Sequence, residues 1–279
     1  ARIDREVSEV IRRGRKTAVR AFPISIDFEE HQAGAAADPS GEQTRQWIRE
    51  LGCSDQFLGI GIDRMDYTKG IPERLQAVDR FLARYPDYLG KLTFVQIAVP
   101  SRGTISEYRM LENELDRKVR EINRRWGFGS WRPVIFLKRH VPRWKLPALH
   151  RLADFCMVTS LHDGMNLVAK EFVASRSDNS GVLILSEFAG SSRELSDALL
   201  VNPFDEEQQA EAIRQAIEMP QEERRRRMLR MRGILEENNV YRWAGKIVST
   251  LLRYEFSPAP GVNGDSAAAC NTASGSAFC

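Results

Sequence analysis

Seven short apolar runs, separated by stretches of helical periodicity, limit what this chain can fold into. The runs are Thr17 to Ile26, Phe57 to Ile62, Leu92 to Val99, Val134 to Leu137, Phe155 to Thr159, Val182 to Leu185 and Leu199 to Val201. Each reads as a strand. Between them helices are expected at Glu42 to Leu51, Pro72 to Tyr85, Ile105 to Trp126, Arg143 to Leu152 and Leu167 to Ser175, with a turn of helix near Glu194. Helices over Glu206 to Glu218, Glu222 to Asn238 and Arg242 to Tyr254 complete the set. Such alternation implies parallel strands joined by right-handed crossovers, so the expected fold is α/β, a doubly wound parallel sheet with helices on both faces. Ligands of such sheets bind beyond the carboxyl ends of the strands, and Arg64 and Asp163 both follow candidate strands directly.

Two strand-to-helix junctions carry chemistry. In Leu161 to Glu171 the turn Asp163-Gly164 leads into a helix opening at Leu167. The unpaired N–H groups of a first helical turn favour an anion, which makes a phosphate a natural occupant. An ordinary turn capped by Asp163 or Asn166 satisfies the same pattern. In Gly59 to Arg74, Arg64 and Lys69 share a loop before a helix marked by Pro72 in its first turn. An arginine fork and a mobile lysine charge suit a diphosphate. A surface pairing of Arg64 with Asp63 or Asp66, worth about 0–1 kcal/mol, accounts for the arginine equally well.

Arg64-Met65-Asp66-Tyr67-Thr68-Lys69-Gly70, Pro100-Ser101-Arg102-Gly103 and Asp163-Gly164-Met165-Asn166-Leu167-Val168-Ala169-Lys170-Glu171 together resemble the donor-site motifs of trehalose-6-phosphate synthases, which are retaining GT-B glycosyltransferases. The likeness runs from about Ala21 to Tyr254 and covers the C-terminal, donor-binding half of such an enzyme. It implies that UDP-glucose is the donor and glucose 6-phosphate the acceptor, with no cofactor; ADP or GDP as the nucleotide is left open. Arg64 and Lys69 would hold the diphosphate and stabilise the departing charge, and Arg102 would lie near the nucleotide. Asp163 would bind glucose hydroxyls, and backbone N–H groups of Gly164, Met165, Asn166, Leu167 and Val168 would meet sugar oxygens and phosphate. Val141 would offer its backbone to the base, and Glu171 would hold the ribose hydroxyls. Taken without the resemblance, Arg102 is a surface arginine and Glu171 a solvated glutamate. The loop Glu187 to Glu194 is expected to shape the acceptor side, and Trp243 to anchor the last helix in an apolar pocket.

The same scaffold serves a glucosylglycerol-phosphate synthase, a pseudo-glycosyltransferase or a non-catalytic regulatory subunit, and these readings stay open. The resemblance further implies a missing N-terminal domain as partner, so that the chain alone would transfer glucose poorly or not at all. Assembly as a homo-oligomer is compatible with all of them.

Composition excludes several other classes. With 42% hydrophobic residues the chain supports a sizeable core, and a formal net charge of +3 argues against a dedicated nucleic-acid binder. The run Arg224 to Arg227, with Arg230 and Arg232, is interleaved with Met228, Leu229, Met231 and Leu235 and reads as a solvated helix face. No apolar run is long enough for a membrane span, and no signal-peptide pattern is visible at the start. The four cysteines Cys53, Cys156, Cys270 and Cys279 form no C-x-x-C pair, and His31, His140, His150 and His162 have no metal-ligand spacing, so a reducing, cytoplasmic setting is expected. Residues 1–38 are expected to be a remnant of a preceding domain and its linker, with a charged helix at Arg2 to Arg15, a closing strand at Thr17 to Ile26 and a polar linker near Ala33 to Pro39. Residues 39–256 would form a Rossmann-like nucleotide-sugar domain and 257–279 a disordered tail.

Overall fold

A computed structural model describes residues 2–4, 6, 8–36, 38, 41–53, 56–100 and 106–253. Nine strands run in chain order as β1 (Arg2–Asp4), β2 (Glu9–Arg12), β3 (Arg15–Ala18), β4 (Phe57–Arg64), β5 (Leu92–Val99), β6 (Val134–Leu137), β7 (Phe155–Val158), β8 (Val182–Ser186) and β9 (Leu199–Val201) among the described residues. The helices are α1 (Phe28–Ala36), α2 (Glu42–Leu51), α3 (Ile71–Arg84), α4 (Ser106–Trp126), α5 (Leu146–Leu152), α6 (Leu167–Ser175), α7 (Glu206–Glu218), α8 (Gln221–Glu237) and α9 (Val240–Leu251).

Strands β4 to β9 form one six-stranded sheet in the order β6-β5-β4-β7-β8-β9, and every pairing in it is parallel. The expected doubly wound α/β sheet is therefore present. Its order reverses between β4 and β7, and the crevice beyond the carboxyl ends of those two strands is where such sheets take ligands. The central strands are buried along nearly their whole length, which is why they read as unbroken apolar runs. Alternate residues feed two cores. Cys156 and Val158 of β7 join Phe172, Val173 and Leu149 on one face, while Phe155 and Met157 join Leu75, Phe81 and Ile213 on the other.

The first 40 residues depart from expectation. Arg2 to Arg15 is not a helix: β1, β2 and β3 form an antiparallel three-stranded sheet. Arg12 pairs with Arg15 across Arg13 and Gly14, which have φ of 50° and 76°. Two successive positive φ values make the tight hairpin whose twist matches its strands. The expected strand to Ile26 stops at Ala18, because the carbonyls beyond it are taken elsewhere: Phe22 O by Trp243 Nε1, Ile24 O by Lys170 Nζ and Ile26 O by the Val240 amide. The expected linker is helical up to Ala36, since α1 buries Phe28 against the α5 and α6 layer. Elsewhere the differences are small: the helix expected from Arg143 starts as a 3-10 turn at Arg143–Lys145, and α9 begins at Val240. Trp243 is only half-buried and holds α9 by its hydrogen bond to Phe22 O, not by an apolar pocket. The expected tail 257–279 and Tyr254 lie outside the described residues.

Arg225, Arg226 and Arg230 of α8 are exposed as expected, while Arg224, Arg227 and Arg232 tie the helix to its neighbours. Arg232 donates to Val173 O and Ala174 O at the end of α6, Arg224 donates to Ile217 O and Met219 O at the end of α7, and Arg226 and Arg227 pair with Glu223. Cations at helix C-termini satisfy carbonyls that no later turn can reach. No helix of the described residues is long and apolar enough to cross a membrane.

Candidate functional site

The loop after β4 and the loop after β7 meet at the point where the strand order reverses. Arg64 ends β4, and Asp66 then accepts hydrogen bonds from the Thr68 amide at 2.9 Å and the Thr68 hydroxyl at 2.8 Å, which winds Tyr67–Lys69 into a 3-10 turn. Gly70 closes the turn at φ 63°, with no room for a side chain: a Cβ there would lie 2.3 Å from Thr159 O. The amides of Leu161 and His162 both donate to Thr68 O, at 2.8 and 3.3 Å, so the two loops are fastened through their backbones.

Lys69 Nζ lies 2.6 Å from Asp163 Oδ2, with each side chain about 15% exposed. Asn166 Nδ2 reaches the same oxygen at 3.0 Å and Ser160 Oγ reaches it at 3.4 Å. Burial pushes the Asp163 carboxyl up, but the Lys69 ammonium and the Asn166 amide outweigh it and hold the group below its usual range. Asn166, not Asp163, caps α6: its Oδ1 accepts from the Ala169 amide at 3.2 Å. The N–H groups of Leu167 and Val168 are left without a partner inside the helix. Asn166 holds φ 65°, a conformation asparagine tolerates better than most residues.

Gly164 and Met165 extend from this cluster into a cavity of about 1050 Å³. Phe22 and Ile24 form one wall, Asp163 and Met165 a second, and Phe188 and Glu194 a third. The loop at 187–194, expected beside the acceptor, is stitched to the Asp163 loop by the Gly190 amide on Asp163 O and the Ser191 amide on Met165 O. A Cβ on Gly190 would come within 2.0 Å of Gly164 O, so only glycine permits this approach.

The other expected residues are placed as follows. Arg64 is exposed at the end of β4; Asp63 is engaged by Arg74, and no carboxylate of the described residues lies within ion-pair distance of Arg64. Its charge still helps to hold the Asp66 carboxyl below the usual range, so the surface pairing remains as an attraction beyond ion-pair distance. Arg102, with Ser101 and Gly103, lies outside the described residues. Val141 is buried in the core beside α5. Glu171 is half-buried; burial pushes its carboxyl up, Arg143 pulls it down and Glu30 raises it further. Glu171 is therefore a partly enclosed carboxylate within reach of the charge of Arg143, which follows Val141 by two residues. His162 is exposed. No cluster of three or more His, Cys, Asp or Glu able to hold a metal occurs among the described residues.

Two buried cations beside the site, Arg74 and Lys170, escaped the sequence reading. Arg74 of α3 is fully buried, with Nη1 2.5 Å from Asp63 Oδ2. Lys170 of α6 is fully buried between Glu194 Oε2 at 2.6 Å and Ile24 O at 3.0 Å, tying the cavity wall to the helix. Both fall on the apolar faces of their helices, Arg74 among Ile71, Leu75 and Val78 and Lys170 beside Ala169 and Val173. A charge at a core position was the available signal.

Known proteins resemble this chain in sequence and in fold. The model of glycosyltransferase family 20 matches residues 1–253. A bifunctional trehalose-6-phosphate synthase/phosphatase of Thermoproteus tenax is 42% identical over 85% of this chain and 32% of its own length. A UDP-forming α,α-trehalose-phosphate synthase of Pichia angusta is 38% identical over 88% of this chain and 51% of its own. Among solved structures, a UDP-forming α,α-trehalose-phosphate synthase from Burkholderia xenovorans in complex with glucose-6-phosphate superposes with a TM-score of 0.84 at 37% identity, covering 88% of this chain and 54% of that one. An E. coli structure bound with UDP-2-fluoro glucose has a TM-score of 0.82 at 34% identity, covering 90% and 57%. The chain thus spans between a third and somewhat over half of the length of these relatives. With a family model matching nearly all of it and the same α/β sheet as these structures, the chain belongs to glycosyltransferase family 20.

Proposed function

We propose that this chain is the donor-binding half of an α,α-trehalose-phosphate synthase, transferring glucose with retention from UDP-glucose to glucose 6-phosphate. The observation that carries the reading is the 2.6 Å contact of Lys69 with Asp163, which brings a cation and a carboxylate together at the switch point of the sheet. Relatives crystallised with glucose-6-phosphate and with UDP-2-fluoro glucose support the substrate pair.

In this reading Arg64 and Lys69 hold the diphosphate, together with the free N–H groups of Leu167 and Val168 at the head of α6. Arg102 approaches the nucleotide from the loop after β5. Asp163 accepts from glucose hydroxyls, the backbone of Gly164, Met165 and Asn166 lines the sugar, Glu171 holds the ribose and the Val141 backbone meets the base. Charge develops on the leaving diphosphate as the glycosidic bond breaks, and fixed cations stabilise it without reorganising. Double displacement would require a carboxylate nucleophile about 5–5.5 Å from an acid. Asp163, the carboxylate of this cluster, is already held by Lys69 and Asn166. Front-face attack, with the leaving phosphate taking the acceptor's proton, fits that arrangement better.

The segment before Ile26 is proposed to belong to the preceding domain, since Ile26 and Phe28 pack into the core of the parallel sheet whereas β1–β3 form a sheet of their own. The setting is proposed to be cytoplasmic, on the strength of the free buried thiols of Cys53 and Cys156. Calorimetric titration with UDP-glucose, followed by a product assay with glucose 6-phosphate and other acceptors in the presence and absence of the N-terminal half, tests the proposal. Binding of UDP-glucose by the chain alone, and trehalose 6-phosphate formed only with the other half, is the expected result; no binding at all would refute it.

A further inference from the structure

We infer that Arg74 is a positioning residue of the nucleotide-sugar site, acting through Lys69. The inference rests on the donor-site reading above. Arg74 has no accessible surface, and its guanidinium spreads its donors over β4, β5, the residue after β7 and one loop. Nη1 donates to Asp63 Oδ2 on β4 at 2.5 Å and to Gln96 Oε1 on β5 at 3.0 Å. Nε donates to Thr159 Oγ1, the residue after β7, at 3.0 Å, and Nη2 donates to Lys69 O at 3.2 Å. The backbone amide of Arg74 adds a hydrogen bond to Gly70 O at 3.0 Å. The two residues that close the cation loop are therefore held from beneath by one side chain and its own amide.

Stability alone does not explain an arginine here. A buried ion pair is seldom better than apolar side chains of similar volume, and the position lies on the face of α3 that otherwise carries Ile71, Leu75 and Val78. The surrounding sequence is shaped around the guanidinium: a Cβ on Gly61 would come within 2.5 Å of Gln96 Oε1 and 2.6 Å of Arg74 Nη1. What the planar fork provides, and a leucine or lysine does not, is several fixed directions at once. Through them the loop after β4 keeps its height relative to the loop after β7. Lys69 is fixed at its carbonyl by Arg74 and at its ammonium by Asp163, so the ammonium stands ready where the diphosphate would arrive.

The test is a double-mutant cycle read by calorimetry with UDP and UDP-glucose on the whole chain, using Lys69→Met, Arg74→Lys and the two combined. Arg74→Lys is expected to weaken UDP binding by about tenfold, as losing charge-assisted hydrogen bonds around a site does, while circular dichroism keeps the native shape. In the Lys69→Met background the same change is expected to weaken binding by less than about twofold, because the group being positioned is gone. Leu115→Ala, on the buried face of α4 and outside the loops of the site, supplies a destabilised control whose UDP affinity should stay within about twofold. Should Arg74→Lys fail to fold, Asp63→Asn with Arg74→Met removes both buried charges together and enters the same cycle. Losses that simply multiply, or an equal loss in Leu115→Ala, overturn the inference while leaving the donor-site reading in place. Absence of UDP and UDP-glucose binding in the unsubstituted chain overturns both.

Discussion

Lys69 and Asp163 stand 94 residues apart in the chain, yet the lysine ammonium lies 2.6 Å from the aspartate carboxylate. Each is the first charged partner of the other, so a diphosphate entering the site competes with Asp163 for Lys69. Asp163→Asn should therefore bind UDP as tightly as the parent or more so, while losing most of its preference for UDP-glucose over UDP. Lys69→Met should weaken both ligands by about tenfold or more, the usual cost of a lost charge-assisted contact. Calorimetry on the two variants separates these outcomes; parallel losses of UDP affinity in both would contradict the competition.

Three glycines near the site should respond differently to alanine. Gly70→Ala and Gly190→Ala place a Cβ within 2.3 Å of Thr159 O and 2.0 Å of Gly164 O, and Gly70 also holds φ 63°. Each should lose about 1–3 kcal/mol of stability, or fold only with the two loops displaced. At Gly164 a Cβ would meet nothing within 4 Å, so Gly164→Ala should stay within about 0.5 kcal/mol of the parent. Its effect should appear instead in UDP-glucose affinity. Urea denaturation of the three variants checks the order.

His150 gives stability a pH dependence on the acid side. The ring is buried, its Nδ1 lies 3.3 Å from Ser175 Oγ, and that hydroxyl already donates to Glu171 O, so Nδ1 carries the proton and Nε2 is left without a partner. Burial, with a smaller push from the neighbouring charges of His31 and Arg176, lowers its pKa from 6.5 to about 3. Between those values the unfolded chain binds a proton that the folded one refuses, so stability falls as pH drops from 6.5 towards 3, by up to about 1.4 kcal/mol per unit. Denaturation midpoints of His150→Phe should lose that part of the slope; an unchanged slope would show that other groups carry it.

The basic face of α8 should prove structural. Arg232 donates to Ala174 O at 2.7 Å and lies 5.1 Å from the centre of the Phe28 ring. Arg232→Ala should cost about 1–3 kcal/mol, combining a lost charged hydrogen bond with a lost cation–π contact. Arg225→Ala, on an exposed position of the same helix, should change stability by no more than about 0.5 kcal/mol. Thermal melts of the pair decide the matter.

The sheet strands were legible because parallel strands with helices on both faces have no polar side to show, so Phe57 to Arg64 and Leu92 to Val99 stand out as apolar runs. The same logic puts Arg64 and Asp163 just beyond apolar strand runs. The amino-terminal sheet was hidden by its own charge: Arg12, Arg13, Arg15 and Lys16 mask the alternation around Val10, Ile11 and Thr17, and the Arg13-Gly14 turn was the signal to read. Helix α1 was hidden too, since its periodicity is weak and its place is decided by Phe28 entering a core built from α5 and α6.

By itself, then, the order of residues determined the alternation of strands and helices, the short turns after β4 and β7, and the kinds of side chain those turns carry, because all of these depend on neighbours within a few positions. Only the tertiary structure decided that Lys69 would meet Asp163, that Asn166 rather than Asp163 would cap α6, and that Arg74 and Lys170 would be buried cations with several partners each. Those facts depend on which strand lies beside which, and a hydrogen bond across the sheet is specified by distance in space, which sequence spacing does not record.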